Sequence, residues 1–217
     1  MYENLFITIE GGEGVGKSTF IEGLKDFFSG LGKETLVTRE PGGTAIADRI
    51  RSVFTDPPEE EDFTVEAELM LVSAARAQHM HHKILPALGE GKVVISDRFA
   101  DSTRVYQGFL GKADDVFMES VIEKTVFKRH PDMTFLLDCD VEVSIKRVRD
   151  RAEQNGEALS RYDKANLEVH QKLRDGFLHY AAKFPNRFIV VDASKTPEEV
   201  LNSAISALKE RFGIELS

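Results

Sequence analysis

The run Gly11-Gly12-Glu13-Gly14-Val15-Gly16-Lys17-Ser18 has the spacing G-x-x-x-x-G-K-[ST], and Thr19 follows it. The chemistry of that pattern is anion binding. Glycines let the backbone curl so that successive N–H groups point inward at phosphate oxygens, and they allow a phosphate to approach closely. A helix starting near Lys17 adds the positive end of its dipole. Lys17 is expected to reach the β- and γ-phosphates of a nucleoside triphosphate, and Ser18 to bind Mg²⁺. The loop alone implies a nucleotide and no particular reaction, because GTPases, motors and small-molecule kinases share it. An Asn-Lys-x-Asp motif, which would read guanine, does not occur in the chain, and a short chain with scattered arginines fits a kinase.

Further groups able to do chemistry stand in four places. Thr38-Arg39-Glu40-Pro41-Gly42-Gly43-Thr44 leads to Asp48-Arg49-Ile50-Arg51, and Asp97-Arg98-Phe99 leads to Ser102-Thr103-Arg104-Val105-Tyr106-Gln107-Gly108. Arg76 lies in a long helical pattern, and Lys146-Arg147-Val148-Arg149-Asp150-Arg151 is followed by Arg161. Arg104 reads as a solvated cation. His79, His81 and His82 lack a cysteine or carboxylate at ligand spacing, so a zinc site is not expected. The single cysteine, Cys139, reads as a buried small hydrophobe.

Elements that must position these groups follow from the apolar pattern. Short apolar, β-branched runs at Leu5–Ile9, Thr35–Thr38, Val93–Ile95, Thr134–Leu137 and Phe188–Val191 predict five strands. Helical patterns fall near Lys17–Phe28, Val65–Leu88, Val116–Phe127, Val141–Arg151, Leu167–Ala182 and Pro197–Phe212. Strands alternating with helices predict right-handed crossovers and a parallel sheet with helices on both faces. The phosphate loop and the Arg39 and Asp97-Arg98 segments then fall at the carboxyl ends of strands, where open α/β sheets bind ligands. The exposed acidic tract Pro57–Asp62 reads as a solvated turn and helix start. A single domain over residues 1–217 is expected.

A net charge of -9 repels nucleic acid and anionic membranes on average, so any phosphate ligand must be held by local cations. Neither nucleic acid nor membrane is an expected partner: no run approaches the roughly 18 apolar residues of a membrane helix. The start Met1-Tyr2-Glu3-Asn4 has no signal-peptide pattern, and one cysteine suits a reducing compartment, so the cytoplasm is the expected location.

With these segments quoted, the chain closely resembles the thymidylate kinase family of bacterial type. The resemblance runs nearly end to end. It covers the phosphate loop, Arg-Glu-Pro-Gly-Gly-Thr, Ala-Ala-Arg-Ala-Gln-His from Ala74 to His79, Asp97-Arg98-Phe99 with Ser102 to Gly108, and Val169 to Leu178. It implies a three-layer α/β/α P-loop kinase fold, ATP and Mg²⁺ as cofactors, dTMP as phosphoryl acceptor, and a homodimer. By resemblance, Arg39, Arg51 and Arg98 clamp the acceptor phosphate, Asp97 lies near Mg²⁺, and Glu13 meets the sugar 3′-hydroxyl. Arg76 and Gln107 read the polar edge of thymine, with Thr103 nearby, and Tyr106 leaves no room for a 2′-hydroxyl. A mobile lid at about 147–162 is expected to supply the arginine that the phosphate loop lacks, with Arg149, Arg151 and Arg161 as candidates.

One position departs from the family. An aromatic ring usually stands one helical turn before the base-reading arginine, and here the residue is Val72. Two alternatives stay open at this point: another P-loop kinase with a different nucleotide or deoxynucleoside acceptor, and a nucleotide-binding module without turnover.

Overall fold

The computed structural model describes residues 4–58, 60–155 and 166–214. Five strands, β1 (Phe6–Glu10), β2 (Thr35–Arg39), β3 (Val93–Asp97), β4 (Met133–Asp138) and β5 (Phe188–Asp192), form one parallel sheet in the order β2-β3-β1-β4-β5. The strands at the centre are buried almost throughout, whereas the edge strands β2 and β5 are partly exposed. That is the pattern of a sheet covered on both faces.

Alternate residues of each strand feed different cores. Ile7, Ile9, Val93, Ile95 and Phe135 pack against α1 (Lys17–Gly30) and α9 (Pro197–Phe212). Phe6 and Val94 face the layer of α3 (Val65–His79), α4 (Leu85–Gly89) and α6 (Asp115–Thr125). Leu136 joins α8 (Leu167–Lys183) on that side. The remaining helices are α2 (Ala45–Thr55), the short α5 (Ala100–Thr103) and α7 (Val141–Asn155). From β1 the chain runs first to β2 and β3, then returns past β1 to β4 and β5. The reversal opens a crevice at the carboxyl end of β1, and the phosphate loop sits there.

The expected fold class holds, with three differences in the helices. The pattern over Val65–Leu88 is helical throughout, but a π-helical turn at Met80–Ile84 interrupts the α-helical hydrogen bonding between α3 and α4. A second π-helical turn, Arg104–Leu110, follows α5 and carries Tyr106 and Gln107. Helix α2, which carries Asp48 and Arg51, was not among the expected elements. Its apolar face is too narrow to read, since only Ala47 and Phe54 are buried along it. Thr44 caps it, its hydroxyl accepting from the Ala47 N–H.

Candidate active site

Gly14 shows why the phosphate loop must be glycine-rich. Its φ is +74°, and a Cβ there would run into the Ser144 carbonyl oxygen. The loop ends at Gly16 and α1 begins at Lys17, so the first turn of α1 faces the crevice. Lys17 is buried, and its Nζ donates to the Gly12 and Gly11 carbonyls at 2.7 and 3.2 Å. Burial, then the neighbouring Arg98 charge, lowers the ammonium pKa below its ordinary value. A cation held at that cost is one that an anion would stabilise.

Beside the loop, a cavity of about 310 Å³ opens between the ends of β1, β2 and β3 and helices α2 and α3. Its lining includes Arg39, Arg51 and Arg98, and the Arg39 and Arg98 charges both act on Arg51. Arg51 Nη1 donates to the Pro41 carbonyl (2.8 Å), and its pKa is lowered by burial and then by the Arg39 charge. Three guanidiniums that repel one another around a cavity form a site for a multiply charged anion. Arg98 has a left-handed backbone, φ +65°, at the end of β3. Its Nη2 donates to Glu13 Oε1 (2.6 Å) and its Nη1 to Ser102 Oγ (3.1 Å), and its guanidinium lies 5.3 Å from the Tyr106 ring centroid. Burial pushes the Glu13 carboxyl up, but Arg98 and Lys17 outweigh it and hold the pKa at about 2. Glu13 is therefore an anion at any physiological pH, and the Tyr106 hydroxyl donates to it at 3.4 Å.

The cavity is also lined by Val72, Arg76, Thr103 and Gln107, with Phe54 and Phe99. Arg76 is 2% exposed. Its Nε donates to Glu40 Oε2 (2.8 Å) and its Nη2 to Thr103 Oγ1 (2.7 Å), while Nη1 has no partner. A buried, unpaired guanidinium donor is costly unless something in the cavity accepts from it. Gln107 Nε2 donates to Glu68 Oε2 at 2.9 Å.

Ser18 and Asp97 line one cleft beside the loop, and Asp97 Oδ1 has no hydrogen-bond partner. Two hard oxygen donors and an orphaned carboxylate oxygen fit Mg²⁺, which keeps most of its waters and takes few protein ligands. Among the described residues no group of three or more His, Cys, Asp or Glu could hold a metal ion.

The structure thus brings together the loop, Glu13, Arg39, Arg51, Val72, Arg76, Asp97, Arg98, Thr103, Tyr106 and Gln107. Arg149 and Arg151 are exposed on α7 and do not line the cavity. Arg161 and the rest of the proposed lid, 156–162, lie outside the described residues. Arg104 overturns its reading as solvated: it is 5% exposed and pairs with Asp101 (3.0 Å) and Glu119 (2.8 Å). Glu10, Glu40 and His79 were missed as site-supporting residues. Glu40 is visible in hindsight as the acid beside Arg39 in a glycine-proline turn.

A phosphate loop at the switch point of a parallel sheet, with a cation-lined second cavity beside it, defines a P-loop phosphotransferase that takes two substrates. The family model described as Thymidylate kinase matches residues 9–204. The chain is 42% identical over 211 residues to a thymidylate kinase of Trichlorobacter lovleyi, covering 97% of this chain and 99% of that one. It is 41% identical over 207 residues to one of Desulfosudis oleivorans, covering 94% and 96%. The crystal structure of thymidylate kinase from Ehrlichia chaffeensis superposes with a TM-score of 0.74 at 29% identity, covering 94% of this chain and 98% of that one. The chain belongs to the thymidylate kinase family.

Proposed function

We propose that this enzyme transfers the γ-phosphoryl group of ATP to dTMP, giving ADP and dTDP. The observation that carries the acceptor assignment is the cavity's mixed lining: three arginines whose charges act on one another, and the unpaired donor of buried Arg76 among apolar walls. A phosphate fits the first and a base edge with an acceptor oxygen fits the second.

The geometry and the family resemblance support the following roles. The acceptor phosphate is already an anionic nucleophile, so no strong general base is required. Arg39, Arg51 and Arg98 bind and orient it, and the loop amides with Lys17, Ser18 and Thr19 bind the donor, so that the two phosphates meet in line. Lys17, swinging from the Gly11 and Gly12 carbonyls to the donor, and Arg98 neutralise charge that builds in the transition state. Ser18 and Asp97 would hold Mg²⁺, which supplies further charge neutralisation between donor phosphates when bound. Glu13, fixed by Arg98, accepts from the sugar 3′-hydroxyl, and Tyr106 packs where a 2′-hydroxyl would stand. Arg149, Arg151 and Arg161 belong to a lid at about 147–162 that brings an arginine to the transferring group and excludes water.

Two broader readings belong to the same proposal. The enzyme acts as a homodimer in the cytoplasm. Support for the dimer comes from Ile46, Val53, Met70, Val116 and Phe117, each at least 44% exposed, on the adjacent helices α2, α3 and α6. Among the described residues no helix is long and apolar enough to cross a membrane.

A coupled ADP-release assay with dTMP, dUMP, dCMP, UMP and thymidine tests the activity. Fastest turnover with dTMP, and none with thymidine, is expected. Turnover of thymidine, or ATP binding without turnover on any acceptor, would overturn the assignment.

A further inference from the structure

Arg76 is held by a chain of buried groups that begins at the far side of β2. The Glu40 carboxylate takes Arg76 Nε on Oε2 (2.8 Å) and His79 Nδ1 on Oε1 (3.0 Å). His79 Nε2 lies 2.7 Å from the Thr38 hydroxyl. Exposure of His79 is 0%, and of Glu40 5%. Because the carboxylate can only accept, Nδ1 donates to it; the Arg76 charge already balances Glu40, so the tautomer with Nε2 accepting from Thr38 satisfies every atom without a further buried cation. The Arg76 guanidinium also lies 5.4 Å from the Phe99 ring centroid, and Thr103 takes Nη2. Three contacts, with Glu40, Thr103 and Phe99, therefore define one plane and one rotation for a side chain with many rotamers. They leave Nη1 as the remaining donor. The loop after β2 is shaped around the same imidazole: a Cβ on Gly43, whose φ is +92°, would stand 2.5 Å from His79 Nε2.

We infer that Glu40 and His79 are positioning residues for base selection, which aim the free Nη1 donor of Arg76 at an acceptor oxygen and so favour a 4-oxo pyrimidine over a 4-amino one. The inference rests on dTMP as acceptor. An arginine locked at Nε and Nη2 cannot rotate to avoid an opposing amino group, whereas an unlocked one can tilt and tolerate it. Discrimination of this kind is lost when the reading group is free to move, even though the group itself remains. Glu40 also follows Arg39 directly, so the end of β2 sets the phosphate clamp and the base reader together.

Initial rates on the full chain with dTMP and with dCMP, at saturating ATP, test it. Glu40→Gln is expected to lower kcat/KM for dTMP by roughly 10²-fold, mostly through KM, while dCMP changes by less than about threefold and KM for ATP by less than about twofold. His79→Gln and Thr38→Val shift the dTMP-to-dCMP preference in the same direction by less, about tenfold and about threefold. Folded variants that lose rate equally on both acceptors would overturn the inference, because a merely structural role moves both together. Should Glu40→Gln fail to fold, Thr38→Val decides by the same ratio. Wild type inactive on dTMP would sink the acceptor assignment itself; wild type active on dTMP, with the preference unmoved in the variants, would sink only the positioning role.

Discussion

Lys17 is a buried cation with two carbonyls in place of water, and its value lies in the charge it can offer the donor phosphates. Lys17→Ala is expected to lower kcat by roughly 10²–10³, the range for losing one preorganised electrostatic donor; near-normal turnover in single-turnover kinetics would remove the loop from the chemistry. Val72 lines the cavity without a π-face. Val72→Phe should strengthen dTMP binding by about 1 kcal/mol, read as a roughly fivefold fall in KM. An unchanged KM would place the base elsewhere. Two acids near the crevice titrate in opposite senses. Glu13, held at about 2, contributes stability above its unfolded value of 4.5 that is lost as pH falls toward 2. Glu10 is raised by burial and then by Asp101 to about 7, so its contribution is complete below 4.5 and is lost as pH rises through 7. Urea unfolding between pH 5 and 8 should therefore show stability falling with pH in wild type, and a shallower fall in Glu10→Gln.

At the scale of elements, α5 and the π-helical turn Arg104–Leu110 line much of the cavity proposed to take the acceptor, and their anchor is ionic. Asp101 on α5 is 1% exposed and accepts from Arg187 Nη1 and Nη2 (2.6 and 2.8 Å) and from Arg104 Nη1 (3.0 Å). Phe184 lies between the two arginines, 5.2 and 5.3 Å from their guanidiniums. This knot ties the start of β5 to the segment that presents Thr103, Tyr106 and Gln107. Glu10 adds a second tie, accepting from the Phe99 and Ser102 N–H groups at the start of α5 (2.8 and 3.3 Å). Asp101→Ala takes the carboxylate partner from half-buried Arg187 and leaves buried Arg104 with Glu119 alone, and a destabilisation of about 3 kcal/mol is expected in denaturant unfolding. A loss below about 1 kcal/mol would mean that the network adds nothing.

For the whole molecule, the sheet's reversal at β1 places the phosphate loop and the arginine-lined cavity side by side, and the proposed dimer would form through the outer helices. Ile46 and Val53 are seven residues apart and so share one face of α2; Met70 on α3 and Val116 on α6 extend the apolar surface. Sedimentation of the wild-type chain should show a dimer, and Val53→Asp with Met70→Asp should give a monomer. A wild-type monomer, or a dimer indifferent to both charges, would refute that face as the interface.

Local rules were enough for the five strands, the phosphate loop and its helix, because each depends on a few adjacent residues: glycines that permit curvature, and apolar runs buried on both faces. Arg39, Arg51 and Arg98, which line one cavity, were singled out by their motifs and the family resemblance. Helix α2 was not, since two buried residues make no readable stripe, and neither were the π-helical turns, whose extra residue per turn is absorbed by packing. Arg104 looked solvated because its partners, Asp101 and Glu119, meet it only once α5 and α6 are folded together. Glu40 and His79 likewise acquire a task only through contacts 36 and 41 residues away in the chain. Spacing along the chain determined which chemistry is present; which side chains are freed to face a substrate, and which are consumed in holding others still, was decided by burial, where every unpaired polar atom must find a partner or remain as a binding site.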